Sequence, residues 1–254
     1  MHRFFLPEGC IEGTNVSFPQ DVSFQLSKVL RIKPRETVIV LDNSGTEFLV
    51  SLDKVDSNKS IGFIVEKRKG KGEPSIKLNL FQALITTAKF EYVLQKGVET
   101  GVSGFAPFVS DRTEVGPPKE ARIERWEKII KESAEQSGRS LLPELRSSTD
   151  LLSALKEAPG IKIIPWEKEF DCSVSSMFRE LSNSKCFDGQ VSVFIGPAGG
   201  FDEREIRFAR EEGAKTVSLG NRVLRSETAG LVTSVLVLQE LGDYSNKSLR
   251  NLRF

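Results

Sequence analysis

Two stretches near the end of the chain carry the residue types best suited to chemistry. Residues 191–200 read VSVFIGPAGG and residues 216–230 read TVSLGNRVLRSETAG, each an apolar run that stops at glycine. Gly196, Gly199 and Gly200 free the main chain of side-chain bulk, so that backbone N–H and C=O groups can approach a ligand closely, while Pro197 stiffens the turn. Leu219 and Gly220 form a second bend, which leads through an arginine-containing loop to a helix start near Glu227. Two adjacent strand ends, each with its own loop, can enclose a flat heterocycle with main-chain donors and acceptors. The familiar nucleotide signatures do not fit. A phosphate-binding loop needs lysine followed by serine or threonine after its last glycine, where this chain has Phe201 and Asp202. The dinucleotide fingerprint needs an acidic residue about 20 positions on, where Thr216 stands.

Other reactive side chains are sparse. His2 is the only histidine, which excludes a Ser-His-Asp or Cys-His arrangement that does not use it. Cys10, Cys172 and Cys186 are scattered with no C-x-x-C spacing, which argues against a disulfide framework or a zinc site, so no metal is expected. A reducing cytoplasm fits this usage.

The first loop needs a strand to deliver it and a helix to hold it. Val191, Val193, Phe194 and Ile195 form the near-continuous apolar run of a parallel strand covered on both faces. Asp202 and Glu205 have the spacing of a capping box, and Gly213 is a stop. From residue 76 onward strands and helices alternate: strands at 76–83, 104–109, 161–165, 191–195 and 216–219, helices at 88–99, 119–137, 174–181 and 227–241. That order predicts an α/β layer with a parallel sheet. The last helix carries Leu231, Val232, Val235, Leu236, Val237 and Leu238 around most of its circumference, so it either threads the core or forms an oligomer interface.

Before this alternation, residues 1–68 contain one helix, 21–30, and short strands at 37–41, 47–52 and 60–66 turned by Asp42-Asn43-Ser44-Gly45, a pattern that predicts a compact β-barrel-like module. KRKGKGEP at 67–74 reads as a domain boundary and a flexible basic linker. At 254 residues the chain holds one large domain or two smaller ones, and a net charge of only +1 requires any nucleic-acid contact to come from a local patch. No apolar run reaches membrane-spanning length, so a soluble protein is expected.

IGPAGGFDEREI followed by VSLGNRVLRSETA resembles the two C-terminal signature motifs of the RsmE family, the 16S ribosomal RNA uridine-N3 methyltransferases of the knotted SPOUT class. Asp111-Arg112-Thr113 and residues 135–139, EQSGR, match two further patterns of that family, with Arg112, Gln136 and Arg139 in register, and Lys96 and Glu99 fit its QKxxE segment. The resemblance implies a PUA-like β-barrel at 1–70 for RNA binding and a SPOUT-type α/β methyltransferase domain with a mostly parallel sheet at 75–254. It also implies S-adenosylmethionine as cofactor, a homodimer paired through the last helix, and 16S rRNA of the small ribosomal subunit, near the decoding site, as substrate.

On the same resemblance, the backbone at Gly196, Pro197, Gly199 and Gly200 and at Leu219, Gly220, Val223, Leu224 and Arg225 cradles the cofactor, with Ile164 and Pro165 as an apolar wall. Thr228 is a further cofactor-binding residue, and with Glu227 it orders the loop and helix start. Arg112 and Arg139 hold the target nucleotide or its phosphates, and Arg225 is the candidate for stabilising a uracil anion; no general base is named. Arg3, Lys28, Arg31, Lys33 and Arg35 are the expected phosphate contacts of the barrel. Two positions depart from the family: Ala198 replaces the glutamate of GPEGG, and Thr100 replaces the leucine of ELGV. The alternatives are methylation of a ribose or a guanine, or a non-catalytic RNA-binding assembly factor, which Ala198 makes conceivable.

Overall fold

The computed structural model describes residues 1–181, 187–241 and 243–244. It divides into two units, Met1–Glu73 with Lys131–Leu142, and Pro74–Ile130 with Pro143–Phe254.

The first unit holds β1 (Arg3–Phe5), β2 (Ile11–Glu12), β3 (Asn15–Phe18), α1 (Gln20–Phe24), β4 (Thr37–Leu41), β5 (Thr46–Lys54) and β6 (Ser60–Lys69). Its sheet has the order β1-β4-β5-β6-β3-β2, antiparallel apart from the β1–β4 pair. Val38 and Val40 on β4 and Phe48, Val50 and Leu52 on β5 alternate inward, and two register shifts between β5 and β6 curl the sheet around the core they form with Val16, Phe18 and Leu26. The helix expected at 21–30 is α-helical only through Phe24 and continues as a π-helical turn, Gln25–Val29.

The stretch 67–74 is not a flexible linker. Lys67–Lys69 continue β6, where Arg68 Nε donates to Glu47 Oε2 at 2.9 Å and the Lys67 ammonium lies 5.5 Å from the Phe48 ring. Glu73 then accepts hydrogen bonds from Arg139 and from the backbone N–H groups of Ser140 and Leu141. These partners explain why Lys131–Leu142, placed within 75–254 by the sequence, belong to the first unit; Glu135 likewise accepts the Phe5 N–H at 2.9 Å.

The second unit begins with β7 (Lys77–Ala83), α2 (Thr87–Glu99), β8 (Gly104–Val109) and α3 (Glu120–Ser137), whose second half belongs to the first unit. It continues with β9 (Glu144–Leu145), β10 (Thr149–Asp150), α4 (Leu151–Glu157), β11 (Ile161–Pro165), α5 (Val174–Leu181), β12 (Gln190–Ile195), α6 (Glu203–Glu211), β13 (Lys215–Val217) and α7 (Ser226–Glu240). Every strand pair is parallel, in the order β10-β8-β7-β12-β11-β13 with β9 beside β8. One face is covered by α4 and α6 over Phe81, Phe108, Phe194 and Phe201; the Phe81 and Phe194 rings stack at 4.4 Å. On the other side α7 packs against α2, α5, β7 and β12. Among the described residues no helix is long and apolar enough to cross a membrane.

Candidate active site

Ligands of open parallel sheets bind beyond the carboxyl ends of the strands, because the loops and helix N-termini gather there. Here the ends of β12, β11 and β13 are neighbours, and each delivers a loop to the same place. The loop after β12 turns at Gly196–Gly200 and is pinned below by Phe201, whose ring would lie 3.1 Å from a Cβ on Gly196. The capping box read from Asp202 and Glu205 forms: Glu205 Oε2 accepts the Asp202 N–H at 2.8 Å, and Asp202 Oδ1 accepts the Arg204 N–H at 3.0 Å. Hydrogen bonds from the Arg204 backbone and side chain hold the Asp202 carboxyl below its ordinary range. The other Glu205 oxygen accepts the Asp111 N–H at 2.9 Å, fixing the loop after β8 to the start of α6.

A buried relay ties the first loop to the second. Ser226, the first residue of α7, donates from Oγ to the Gly196 carbonyl at 2.5 Å and accepts from Gln82 Nε2 at 2.9 Å. Gln82 is fully buried on β7, and its Oε1 has no partner among the described residues. Sequence reasoning missed both residues, since nothing in their local pattern announces contacts across the sheet.

The resulting cleft comprises two adjoining cavities of about 230 and 90 Å³. Gly196, Pro197, Gly199 and Gly200 line the first, Leu219 and Gly220 the second, and Pro165, Val223 and Leu224 line both. Glu167, in the turn after β11, also lines both and was not singled out from sequence. Three candidates lie elsewhere: Ile164 is buried in the sheet core, while Arg225 and Thr228 are exposed at the start of α7 and do not line either cavity. The Arg225 side chain makes no hydrogen bond or ion pair with a described residue, in contrast to Glu227, which pairs with Lys89 at 3.3 Å.

Arg112, Arg139 and Arg3 are engaged. Arg112 donates to the Gly199 carbonyl at 3.0 Å and to Asp202 at 3.2 Å, so it clamps the first loop. Arg139 belongs to the first unit, where it is buried and donates twice to Glu73 Oε2, at 2.8 and 3.0 Å. Also in the first unit, Arg3 is turned inward to Glu47 at 2.6 Å, whereas Lys28, Arg31, Lys33 and Arg35 are exposed.

Residues 72–238 match the family model of the RNA methyltransferase domain. The ribosomal RNA small subunit methyltransferase E of Mesomycoplasma hyopneumoniae is 34% identical over 91% of this chain and 96% of its own length. The enzyme of the same name from Bacillus subtilis is 28% identical over 91% of this chain and 93% of its own. Among solved structures, a ribosomal RNA small subunit methyltransferase E from Neisseria gonorrhoeae, crystallised with S-adenosyl methionine, superposes with a TM-score of 0.86 at 28% identity, covering 96% of this chain and all of that one. The glycine loops at adjacent strand ends and the near full-length similarity lead to one conclusion: this chain belongs to the ribosomal RNA small subunit methyltransferase E family.

Proposed function

We propose that this protein transfers a methyl group from S-adenosylmethionine to N3 of a uridine in 16S ribosomal RNA of the small subunit, working in the cytoplasm as a homodimer. The observation that carries the reading is the convergence of three strand ends on one cleft whose wall is largely main chain. The residues present fit a nucleoside cofactor. Gly200 and Gly220 take φ values of 68° and 94°, a region L side chains rarely adopt, so their backbone groups stay uncovered at the cleft. Val223 is 84% exposed, an apolar wall that a ring can cover.

When bound, the cofactor supplies a methyl group activated on a sulfonium for in-line displacement. The work of the chain is then positioning and exclusion of water. Backbone groups at Gly196, Gly199, Gly200, Leu219 and Gly220 hold the nucleoside, and Pro165, Val223 and Leu224 keep water from it. Arg112 fixes the loop that does the holding. Arg225, exposed and unpaired at the N-terminus of α7, is assigned to the negative charge that spreads over the uracil carbonyl oxygens once N3 loses its proton. Arg3 and Arg139 are assigned to the fabric of the first unit, leaving Lys28, Arg31, Lys33 and Arg35 for RNA phosphates.

The homodimer is supported by the large apolar side chains that α7 leaves partly uncovered. Its buried face is Gly230, Thr233, Ser234, Val237 and Leu238, while Leu231, Val232, Val235 and Leu236 are only partly covered. The reading is tested by incubating the protein with unmodified small ribosomal subunits and methyl-labelled cofactor, then digesting the RNA to nucleosides. Label in N3-methyluridine is the expected result; label in a guanine or a ribose methyl group, or no label, overturns it.

A further inference from the structure

The cleft holds very little charge. Of the residues that line the larger cavity, Glu167 alone is ionic, and it also lines the smaller one, where Arg222 is the other charged group. The rest of the larger cavity's wall is glycine main chain, apolar side chains, Ala198 and Ser226.

Glu167 is held in place by its neighbours and left unpaired itself. The Trp166 N–H donates to the Val217 carbonyl at 3.0 Å, and the Glu169 N–H closes the turn on the Trp166 carbonyl at 3.1 Å. Glu169 is anchored by the Thr216 hydroxyl at 2.6 Å and Arg210 at 3.2 Å, and the Arg210 guanidinium lies over the Trp166 ring. Lys168, the adjacent cation, is paired with Glu203. The Glu167 carboxylate accepts no hydrogen bond and joins no ion pair within 4 Å among the described residues, although the charge of Lys168, bonded to Glu203, reaches it. It faces the first loop, with Oε1 3.3 Å from where a Cβ on Gly200 would stand.

In the larger cavity, where it is the one charged group of the lining, a carboxylate without an ion-pair partner favours a ligand with net positive charge. This inference rests on the cofactor reading above: S-adenosylmethionine carries a net positive charge through its sulfonium, whereas the spent S-adenosylhomocysteine is neutral overall. We infer that Glu167 is the residue by which the protein distinguishes the two forms, drawing in the charged reactant and giving no advantage to the neutral product. Gly200, which leaves room for the carboxylate beside the loop, and the Glu169 anchor, which fixes its turn, are the supports of that discrimination.

The test is calorimetric titration of the full chain, as wild type and Glu167→Gln, with each ligand separately at low ionic strength. In a solvent-open cleft one charge–charge interaction corresponds to about three- to tenfold in affinity. The variant is expected to bind S-adenosylmethionine more weakly by that factor and S-adenosylhomocysteine as before, while Glu167→Asp keeps most of the preference. Raising the salt concentration should erode the preference of the wild type and leave that of the Gln variant unchanged. An equal change for both ligands, or no change for either, overturns the inference while leaving the cofactor reading intact. Failure of the wild type to bind either ligand sinks the cofactor reading instead. Because Glu167 is exposed and unpartnered, the Gln variant is expected to melt at the wild-type temperature, which checks that it is folded.

Discussion

The Ser226 hydroxyl joins the two halves of the cleft: it donates to the Gly196 carbonyl at 2.5 Å and receives the Gln82 amide at 2.9 Å. Replacing it with alanine removes one partner each from the fully buried Gln82 amide and the half-buried Gly196 carbonyl. Ser226→Ala should therefore cost about 2 kcal/mol in the second unit, read by denaturant titration. It should also weaken S-adenosylmethionine binding about tenfold, because the Gly196 end of the loop loses its side-chain tether while Arg112 still holds Gly199; cofactor affinity equal to wild type would show that Arg112 and Phe201 suffice to set the loop. The glycines and the Asp202–Glu205 capping box were legible in the sequence because their roles depend on residues within a few positions. Ser226 and Gln82 were not, since their contacts span 30 and 144 positions. Arg112 and Arg139 were legible as strong donors, but a guanidinium serves a phosphate, a carbonyl or a carboxylate equally well by type, and only packing shows that these two reach Gly199, Asp202 and Glu73.

Among the elements, α7 departs most from simple patterning. Its apolar circumference left two readings open, and the structure resolves which residues face inward: Thr233 and Ser234 are fully buried, their hydroxyls returned to the Ala229 and Gly230 carbonyls at 2.7 and 2.8 Å, while Leu236 is 37% exposed. Gly230, Thr233 and Ser234 let the first turns of the helix lie close on the sheet, and Val237 and Leu238 are buried further along, while Leu231, Val232, Val235 and Leu236 stay partly uncovered. Leu236→Glu should thus leave the far-UV spectrum unchanged yet weaken self-association at least about 100-fold, roughly 3 kcal/mol, because a carboxylate would be buried without a partner; light scattering that shows an unaltered mass distribution would sink this. Strands β4, β8 and β11 stand at the bounds read from sequence, where turn residues bracket an apolar run. The two-residue strands β2, β9 and β10 and the seven-residue α4 are too short for periodicity to register. The segment before β7 was misjudged because charge looks solvated until its partners are known. Burial opposes ionisation of Glu73, yet the hydrogen bonds and charge of Arg139 with the Ser140 and Leu141 N–H groups outweigh it and hold the carboxyl below the ordinary 4.5. Its contribution is complete above that value and is lost as pH falls through the depressed one. Glu135, raised by burial, has the opposite sign and favours the fold on the acid side. Glu73→Gln should cost about 2 kcal/mol at pH 7 and flatten the loss of thermal stability below pH about 4.5, measured by melting across pH.

For the molecule as a whole, near neutrality decides how it can meet RNA. With 36 basic and 35 acidic residues the net charge is +1, so no global field steers a polyanion and attraction must come from where cations are concentrated. Two of the barrel's candidate cations differ in kind: Arg3 is consumed by Glu47, whereas Lys28, on the π-helical turn, projects to solvent. Beyond it, Arg31 and Arg35 are exposed with positive φ of 55° and 74°, a conformation arginine rarely takes, while Lys33 stands exposed between them. Keeping non-glycine residues there costs backbone energy, which is what the proposed phosphate contacts would account for. Each phosphate neutralised on single-stranded RNA contributes about 0.7 to the slope of log affinity against log salt, so four contacts contribute about 3. Replacing Lys28, Arg31, Lys33 and Arg35 together with glutamine leaves the backbone demands similar and removes the charge. Anisotropy titrations of a small-subunit rRNA fragment across salt should then show the slope shallower by about 3, with S-adenosylmethionine affinity unchanged because none of the four lines the cleft. An unchanged slope would mean that the RNA is held by other cations, and that the left-handed arginines of the barrel serve its turns alone.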